Sequence, residues 1–460
     1  MSMTIYSPMG MLGYGFPVQS LRNAMSHRPE VIAVDAGSTD PGPYYLGSGT
    51  SFTSRRMVKR DLALLLAAAR QAKIPLIIGS AGGAGARPNL EWLVEIMDEI
   101  AHDDGHAFRR AVIDAEQDPA DISSAIRAGR VVDFEVGRDL SEEDVRRSDH
   151  LVLQMGMEPL REALEAGADV VVAGRAFDAA LHAVVPIMHG YDVALSLHMG
   201  KILECGSMVA VPRESDGMIG IIGEDAFTVV PADPDKRSTP HLVAAHTFYE
   251  KSDPVDLHVP GGHLLLDRCR FEAVDERTVK VSGSRFEATT PHYLKLEGAG
   301  KTGHRSVCIA GVRDPVAISH VDTMIESVRA KITRDLDDLE PERDYRLLFH
   351  LYGRDAVMGP MEPAPDPAPN ELGILVETIA GDQETAQTVC ALARSALLHA
   401  HYPDRKANAG NLALRFTPAE FPAPPVYEFT AYHLLEVDDP VAPFTIRYDT
   451  VRAPMAEARS

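Results

Sequence analysis

Long apolar runs are missing from this chain. None approaches the ~18 residues a membrane-spanning helix needs, so a membrane-embedded protein is not expected. A basic excess is missing too: 45 Lys and Arg face 67 Asp and Glu, for a formal net charge of −22. Binding to nucleic acid or to an anionic membrane requires positive fields, so neither partner is expected. Cysteine is scarce. Cys205, Cys269, Cys308 and Cys390 are scattered and make no Cys-x-x-Cys pair. Reduced thiols and a cytoplasmic location are therefore expected. No basic segment leads into an apolar stretch near the start, where the first arginine is Arg22.

What is present is an ordinary globular balance, 45% hydrophobic and 24% charged. At 460 residues the chain exceeds what one core usually supports. Segments of 4–7 apolar residues alternate with helical patterns through residue 204. Strands are predicted around Val31–Asp35, Pro75–Gly79, Arg110–Asp114, Leu151–Gln154 and Ala168–Ala173. Helices are predicted over Arg56–Lys73, Leu90–Ala101, Pro119–Ala128, Glu158–Ala166, Phe177–His189 and Val193–Glu204. Such alternation is the mark of βαβ units around a mostly parallel sheet, Rossmann-like or barrel-like.

The pattern changes after Cys205. Residues 206–305 read as a β-rich segment. From Ser306 the order becomes β-α-β-β-α-β, a ferredoxin-like α+β arrangement. The expected fold is thus α/β, with an N-terminal mostly parallel sheet and flanking helices, then the β-rich segment and the ferredoxin-like domain. The expected domains are 1–205, 206–305 and 306–420, with a tail over 421–460 that could add edge strands. The four prolines of Met361–Asn370 mark a loop or lid.

Three apolar runs end in glycine-bearing turns. They are Val31–Asp35 with Gly37-Ser38-Thr39-Asp40, Leu76–Gly79 with Ser80-Ala-Gly82-Gly83-Ala-Gly85, and Asp169–Ala173 with Gly174-Arg175-Ala-Phe-Asp178. Ligands of open α/β sheets bind outside the carboxyl ends of such strands. Gly79, Ser80, Gly82, Gly83 and Gly85 are therefore candidates for an anion cradle, although a tight strand-to-helix turn also accounts for some glycine. The stretch is neither a Rossmann nor a Walker A fingerprint. Arg175 suits bidentate carboxylate recognition, with Asp178 placed to orient it. Asp35, Ser38 and Glu204 are the catalytic candidates, and Thr39 joins the binding residues. Lys295, Arg305 and Arg313 are candidates for a positive patch over the anion, against the alternative of a solvated hairpin. Cys205 reads as a structural thiol. His246, His258, His263, His292 and His304, with Asp256 and Asp267, enrich the middle region in histidine. No metal-binding spacing occurs there, so no metal is expected. Nothing calls for a redox cofactor.

Several strings together resemble the acyclic terpene utilisation family, the AtuA-like proteins. They are Gly-Ser-Ala-Gly-Gly-Ala-Gly at 79–85, the stretch Ala168–Ala180 with Gly174-Arg175-Ala-Phe-Asp178-Ala, Leu-Glu-Cys-Gly at 203–206, and Gly303–Pro315 with its Gly-Val-Arg-Asp-Pro. The resemblance runs over most of residues 30–415. It implies an enzyme of branched carboxylic-acid or CoA-ester catabolism, accompanied by a small companion protein, and it carries over no catalytic residue. The expected activity is a lyase, a hydratase/dehydratase of a hydroxylated or unsaturated di- or tricarboxylate. Such a reaction needs a base for the α-proton, an acid for the leaving hydroxyl, and cations for the enolate-like charge. Asp35 or Glu204 would be the base and Ser38 or a neighbouring acid the donor. The alternatives are an enzyme acting on a branched acyl-CoA and a non-catalytic ligand-binding subunit. The partner expected is an anionic small molecule, in a homo-oligomer whose site is covered by the later domain, through its 361–370 loop, or by a subunit contact.

Overall fold

A computed structural model describes residues 2–249, 252–364, 369–406 and 409–452. Its chain forms two compact units, residues 1–300 with 429–460, and residues 301–428.

The first unit is built on a ten-stranded mixed sheet. Five strands form its parallel centre, in the order β1 (Met3–Ser7), β2 (Val31–Asp35), β3 (Leu76–Gly79), Val170–Ala173 and β4 (Phe108–Asp114). β2, β3 and Val170–Ala173, at the middle of this group, are short and almost wholly apolar because both sheet faces are covered there. Side chains alternate across the pleat, so Val31 and Ala33 enter one core while Ile32 and Val34 enter the other. Helices Arg55–Ala72 and Arg87–Asp104 cover the Ile32 face through Leu62, Leu65, Leu93 and Met97. Helices Asp178–Met188 and Val193–Leu203 cover the Val31 face through Leu181, Val184, Met199 and Ile202. Each covering stripe recurs at three to four residues, the spacing of one helix face.

The predicted boundary at 205/206 is not a break in this sheet. Met218–Ile222 pairs antiparallel with β1, from Met3 opposite Ile222 to Ser7 opposite Met218, and Phe227–Pro231 extends the sheet beyond it. At the other edge Thr445–Val451 pairs antiparallel with β4, so this part of the tail supplies an edge strand. The predicted strand at Leu151–Gln154 forms as β6 (His150–Gln154), after the short strand β5 (Val131–Asp133). β6 stands outside the main sheet and pairs antiparallel with Lys295–Ala299, placing Lys295 opposite Gln154 and Glu297 opposite Val152. A short apolar run reads alike in either setting, which is why sequence alone put it with the parallel strands.

In the second unit, the strand segment ending at Val312 pairs antiparallel with Leu372–Ala380, and that strand pairs antiparallel with Tyr345–Tyr352. A two-residue strand, Ala413–Leu414, pairs on the opposite side of the first segment. Leu372, Ile374, Val376 and Ala380 alternate into a core shared with Val328 and Ile332 of helix Val321–Asp335 and Val389 and Ala393 of helix Gln383–His399. Part of the proline-rich 361–370 loop, residues 365–368, lies outside the described residues. Among the described residues no helix is long and apolar enough to cross a membrane.

Candidate functional site

Asp35 is the last residue of β2, and the pleat turns its side chain toward the helix Asp178–Met188 side of the sheet. There the first unit holds a cavity of about 890 Å³. At its inner end stand Asp35, Ser38, Arg175, Asp178, Lys201, Glu204, Cys205, His246 and Lys295, and the exposed Asp40 also lines it. Farther out its wall carries Phe134, Leu257, Tyr293, Tyr432 and Leu434.

Each inner residue comes from the end of an element. Asp178 is the first residue of its helix, where a carboxylate meets free N–H groups. Lys201 lies in the last turn of helix Val193–Leu203, and Glu204 and Cys205 directly follow it. His246 lies in helix Pro240–Thr247, started by Thr239, whose hydroxyl accepts from the Leu242 N–H. Lys295 comes from the strand paired with β6.

Behind the inner wall is a buried ionic network centred on Glu297. Its carboxylate accepts from Arg175 Nε at 2.6 Å, from Thr39 Oγ1 at 2.9 Å and from Lys295 Nζ at 2.9 Å. Burial by itself would raise its pKa, but Arg175 and Lys295 overcome this and hold it at about 2. The Arg175 Nη1 also donates to Ser80 Oγ, to the Ala176 carbonyl and to Asp178. Lys295 Nζ lies 4.8 Å from the centre of the Tyr432 ring, within cation–π range.

The two wall carboxyls Asp35 and Asp178 are pushed the other way. Burial raises Asp35 well above the usual range, and the charge of Asp178 adds to it, outweighing the Gly37 N–H and Arg175. Burial likewise raises Asp178, against the pull of Arg175 and Lys201. Burial pushes the Cys205 thiol up, and the Glu204 charge beside it adds to the effect. Lys201 is ion-paired with Glu204, whose charge outweighs burial and keeps the ammonium above its ordinary value.

The structure thus brings Asp35, Ser38, Arg175, Asp178, Glu204 and Lys295 to one cavity, with Thr39 bonded to Glu297 behind them. The glycine turn is placed differently. Gly79, Ser80, Gly82, Gly83 and Gly85 are fully buried and none lines the cavity. The space expected for an anion is filled by protein backbone. A Cβ on Gly82 would lie 2.2 Å from the Asn89 carbonyl oxygen, and one on Gly85 would lie 2.2 Å from the Arg175 nitrogen. The turn lets two chain segments touch and so sets the position of Arg175. Arg175 itself spends its fork on Glu297, Ser80 and Asp178. Arg305 and Arg313 belong to the second unit and are not among the cavity residues; Arg305 pairs there with Glu377 at 2.7 Å, and Arg313 is exposed. Lys201, Asp40, His246 and the outer aromatic wall were not predicted as site residues. Lys201 carries a usable signal, since it shares a helix face with Glu204 at i,i+3.

The fold and site define an α/β protein whose mixed sheet carries, at its strand ends, a deep cavity with a charged inner end. The chain belongs to the acyclic terpene utilisation family, described as acyclic terpene utilisation family protein AtuA, whose model matches residues 53–214 and 229–419. No curated protein and no solved structure matches the chain.

Proposed function

We propose that this protein is a hydro-lyase, a hydratase/dehydratase of a hydroxylated or unsaturated carboxylic acid. The observation that carries the reading is the pair Asp35 and Asp178. Both carboxyls face one cavity, both are shifted upward, and the charge of one raises the other. Two coupled carboxyls of this kind divide acid and base roles between them. The protonated member would give its proton to the departing hydroxyl, and the ionised member would take the α-proton. Lys295 and Lys201 would hold the substrate carboxylate and the enolate-like charge that develops on it. Exclusion of water at the buried inner end strengthens those interactions.

The size of the cavity favours a larger substrate than a small tricarboxylate. At about 890 Å³, with Phe134, Leu257, Tyr293, Tyr432 and Leu434 in its outer wall, it suits an acid carrying an apolar chain or a branched acyl thioester. The family name, acyclic terpene utilisation, agrees with such a chain. We also read the second unit as ferredoxin-like, from helices Val321–Asp335 and Gln383–His399 and from its strand order, in which the Tyr345, Leu372 and Val312 strands are followed by Ala413–Leu414. A cytoplasmic homo-oligomer with a small companion protein completes the reading.

The test is exchange in deuterated water. A panel of 3-hydroxy and α,β-unsaturated acids and their CoA esters, short and branched, is incubated with the protein and followed by proton NMR, with and without the companion. Deuterium at the α-carbon and interconversion of alkene and alcohol are expected, reduced about 10²–10⁴-fold in Asp35→Asn and Asp178→Asn. Exchange that persists in both variants overturns the assignment. Ligand binding with no exchange across the panel would favour the non-catalytic subunit.

A further inference from the structure

Charged side chains of both signs are concentrated in the cavity. Asp35, Asp40, Asp178 and Glu204 line it and Glu297 lies just behind, whereas Arg175, Lys201 and Lys295 are the cations among them. Asp35 and Glu297 are at most 5% exposed, so solvent screens little of this charge. Asp40 is exposed and Asp178 partly so, while the buried carboxylates Asp35, Glu204 and Glu297 stand among the cations Arg175, Lys201 and Lys295. At the same place Glu204, Cys205 and His246 each offer a ligand atom, and those atoms all lie within 4.8 Å of one another.

We infer that Glu204, Cys205 and His246 bind a divalent transition-metal ion, with Zn²⁺ the best match to a carboxylate, a thiolate and an imidazole. Hard Mg²⁺ and Ca²⁺ take oxygen ligands and do not suit the sulfur. Three protein ligands leave one position of a tetrahedral ion open, the arrangement of ligand-accessible zinc sites. All three residues line the cavity, so that position is available to water or to a substrate oxygen. The ring of His246 is also held by the backbone next to the other two ligands. Its Nε2 lies 3.2 Å from the carbonyl of Lys201, which places the ring beside the end of the helix that leads into Glu204 and Cys205. Formation of the metal–sulfur bond displaces the Cys205 thiol proton to solvent, while the Glu204 carboxylate and the neutral imidazole bind as they are. The inference stands on this ligand geometry and does not depend on the proposed reaction.

The test uses Co²⁺ as a spectroscopic substitute and needs no substrate. The full chain is stripped with a chelator, dialysed and titrated with Co²⁺, then with Zn²⁺ in competition. One equivalent of Co²⁺ should bind with a near-ultraviolet thiolate-to-cobalt charge-transfer band, and Zn²⁺ should abolish the band. Cys205→Ser should lose it. Cys269→Ser, which changes the other incompletely buried cysteine, should retain it. His246→Ala should weaken binding by about a hundredfold or more, beyond the loss typical of an outer-shell partner. Thermal melts without metal check that each variant is folded. Absence of a thiolate band in the wild-type chain, or its survival in folded Cys205→Ser, overturns the site. Failure of the exchange experiment with a normal cobalt band would reject only the hydro-lyase reading.

Discussion

Arg175 Nε donates to Glu297 Oε2 at 2.6 Å, and both side chains are almost completely buried, at 3% and 0% exposure. The pair fixes the floor under Lys295 and Asp178. Removing one partner leaves the other as an uncompensated buried charge, at a cost of about 3–5 kcal/mol. Arg175→Lys keeps a charge but cannot span Glu297, Ser80 and Asp178 together. Glu297→Ala and Arg175→Lys should both lower the denaturation midpoint in urea, Glu297→Ala by the larger amount. Midpoints equal to wild type would contradict the structural role.

The pKa of Glu297 is held at about 2 in the folded protein, against 4.5 ordinarily. Its contribution to stability is therefore fully present above the unfolded value and is lost as pH falls from about 4.5 toward 2. Glu297→Gln should flatten that part of the acid limb in a pH series of unfolding curves. An unchanged acid limb would show that Glu297 is not held ionised.

Asp35 has the opposite sign. Its folded pKa is raised, so the folded state keeps a proton that the unfolded state releases. Stability contributed by the neutral form is present at low pH and falls as pH rises from the ordinary carboxylate value through the raised one. Asp35→Asn should therefore melt higher than wild type near neutral pH while losing about 10²–10⁴-fold in activity. A variant that melts lower at every pH would show that the Asp35 carboxyl does not destabilise the folded state near neutral pH.

Gly82 and Gly85 should act on folding rather than on ligand binding. Both have positive φ, at 69° and 73°, and a Cβ on either would overlap backbone. Strain and overlap together should cost Gly82→Ala at least about 2 kcal/mol. Soluble, fully stable Gly82→Ala with selective loss of carboxylate binding would restore the anion-cradle reading.

Lys295→Met should raise KM for a carboxylate substrate more than it lowers kcat. Loss of one charge-assisted bond corresponds to about 1.5–3 kcal/mol. Arg175 and Thr39 remain on Glu297, so this variant should keep its fold. Steady-state kinetics with the substrate found by exchange decides it; an unchanged KM places the carboxylate elsewhere.

The sequence by itself determined the elements and the chemistry available at their ends. Val31–Asp35 is a strand as predicted, and Leu76–Gly79, Val170–Ala173 and the helix at Val193–Leu203 lie within a few residues of their predicted limits. Hydrophobic period and chain punctuation are local properties, so local reading finds them. Asp35, Arg175, Asp178 and Glu204 were legible for the same reason, being charges at the ends of apolar runs. Tertiary structure decided what those charges do. Whether a glycine turn faces a ligand or another backbone depends on Asn89 and Arg175, which are brought against Gly82 and Gly85 by folding. Whether Arg175 is free depends on Glu297, 122 residues away in sequence. The grouping of Glu204 and Cys205 with His246 was hidden because no spacing rule links the end of one helix to the end of another some forty residues on. Burial, which raises Asp35 while Glu297 stays low, is a property of the assembled core and appears only when the strand ends, helix ends and their charges share one cavity.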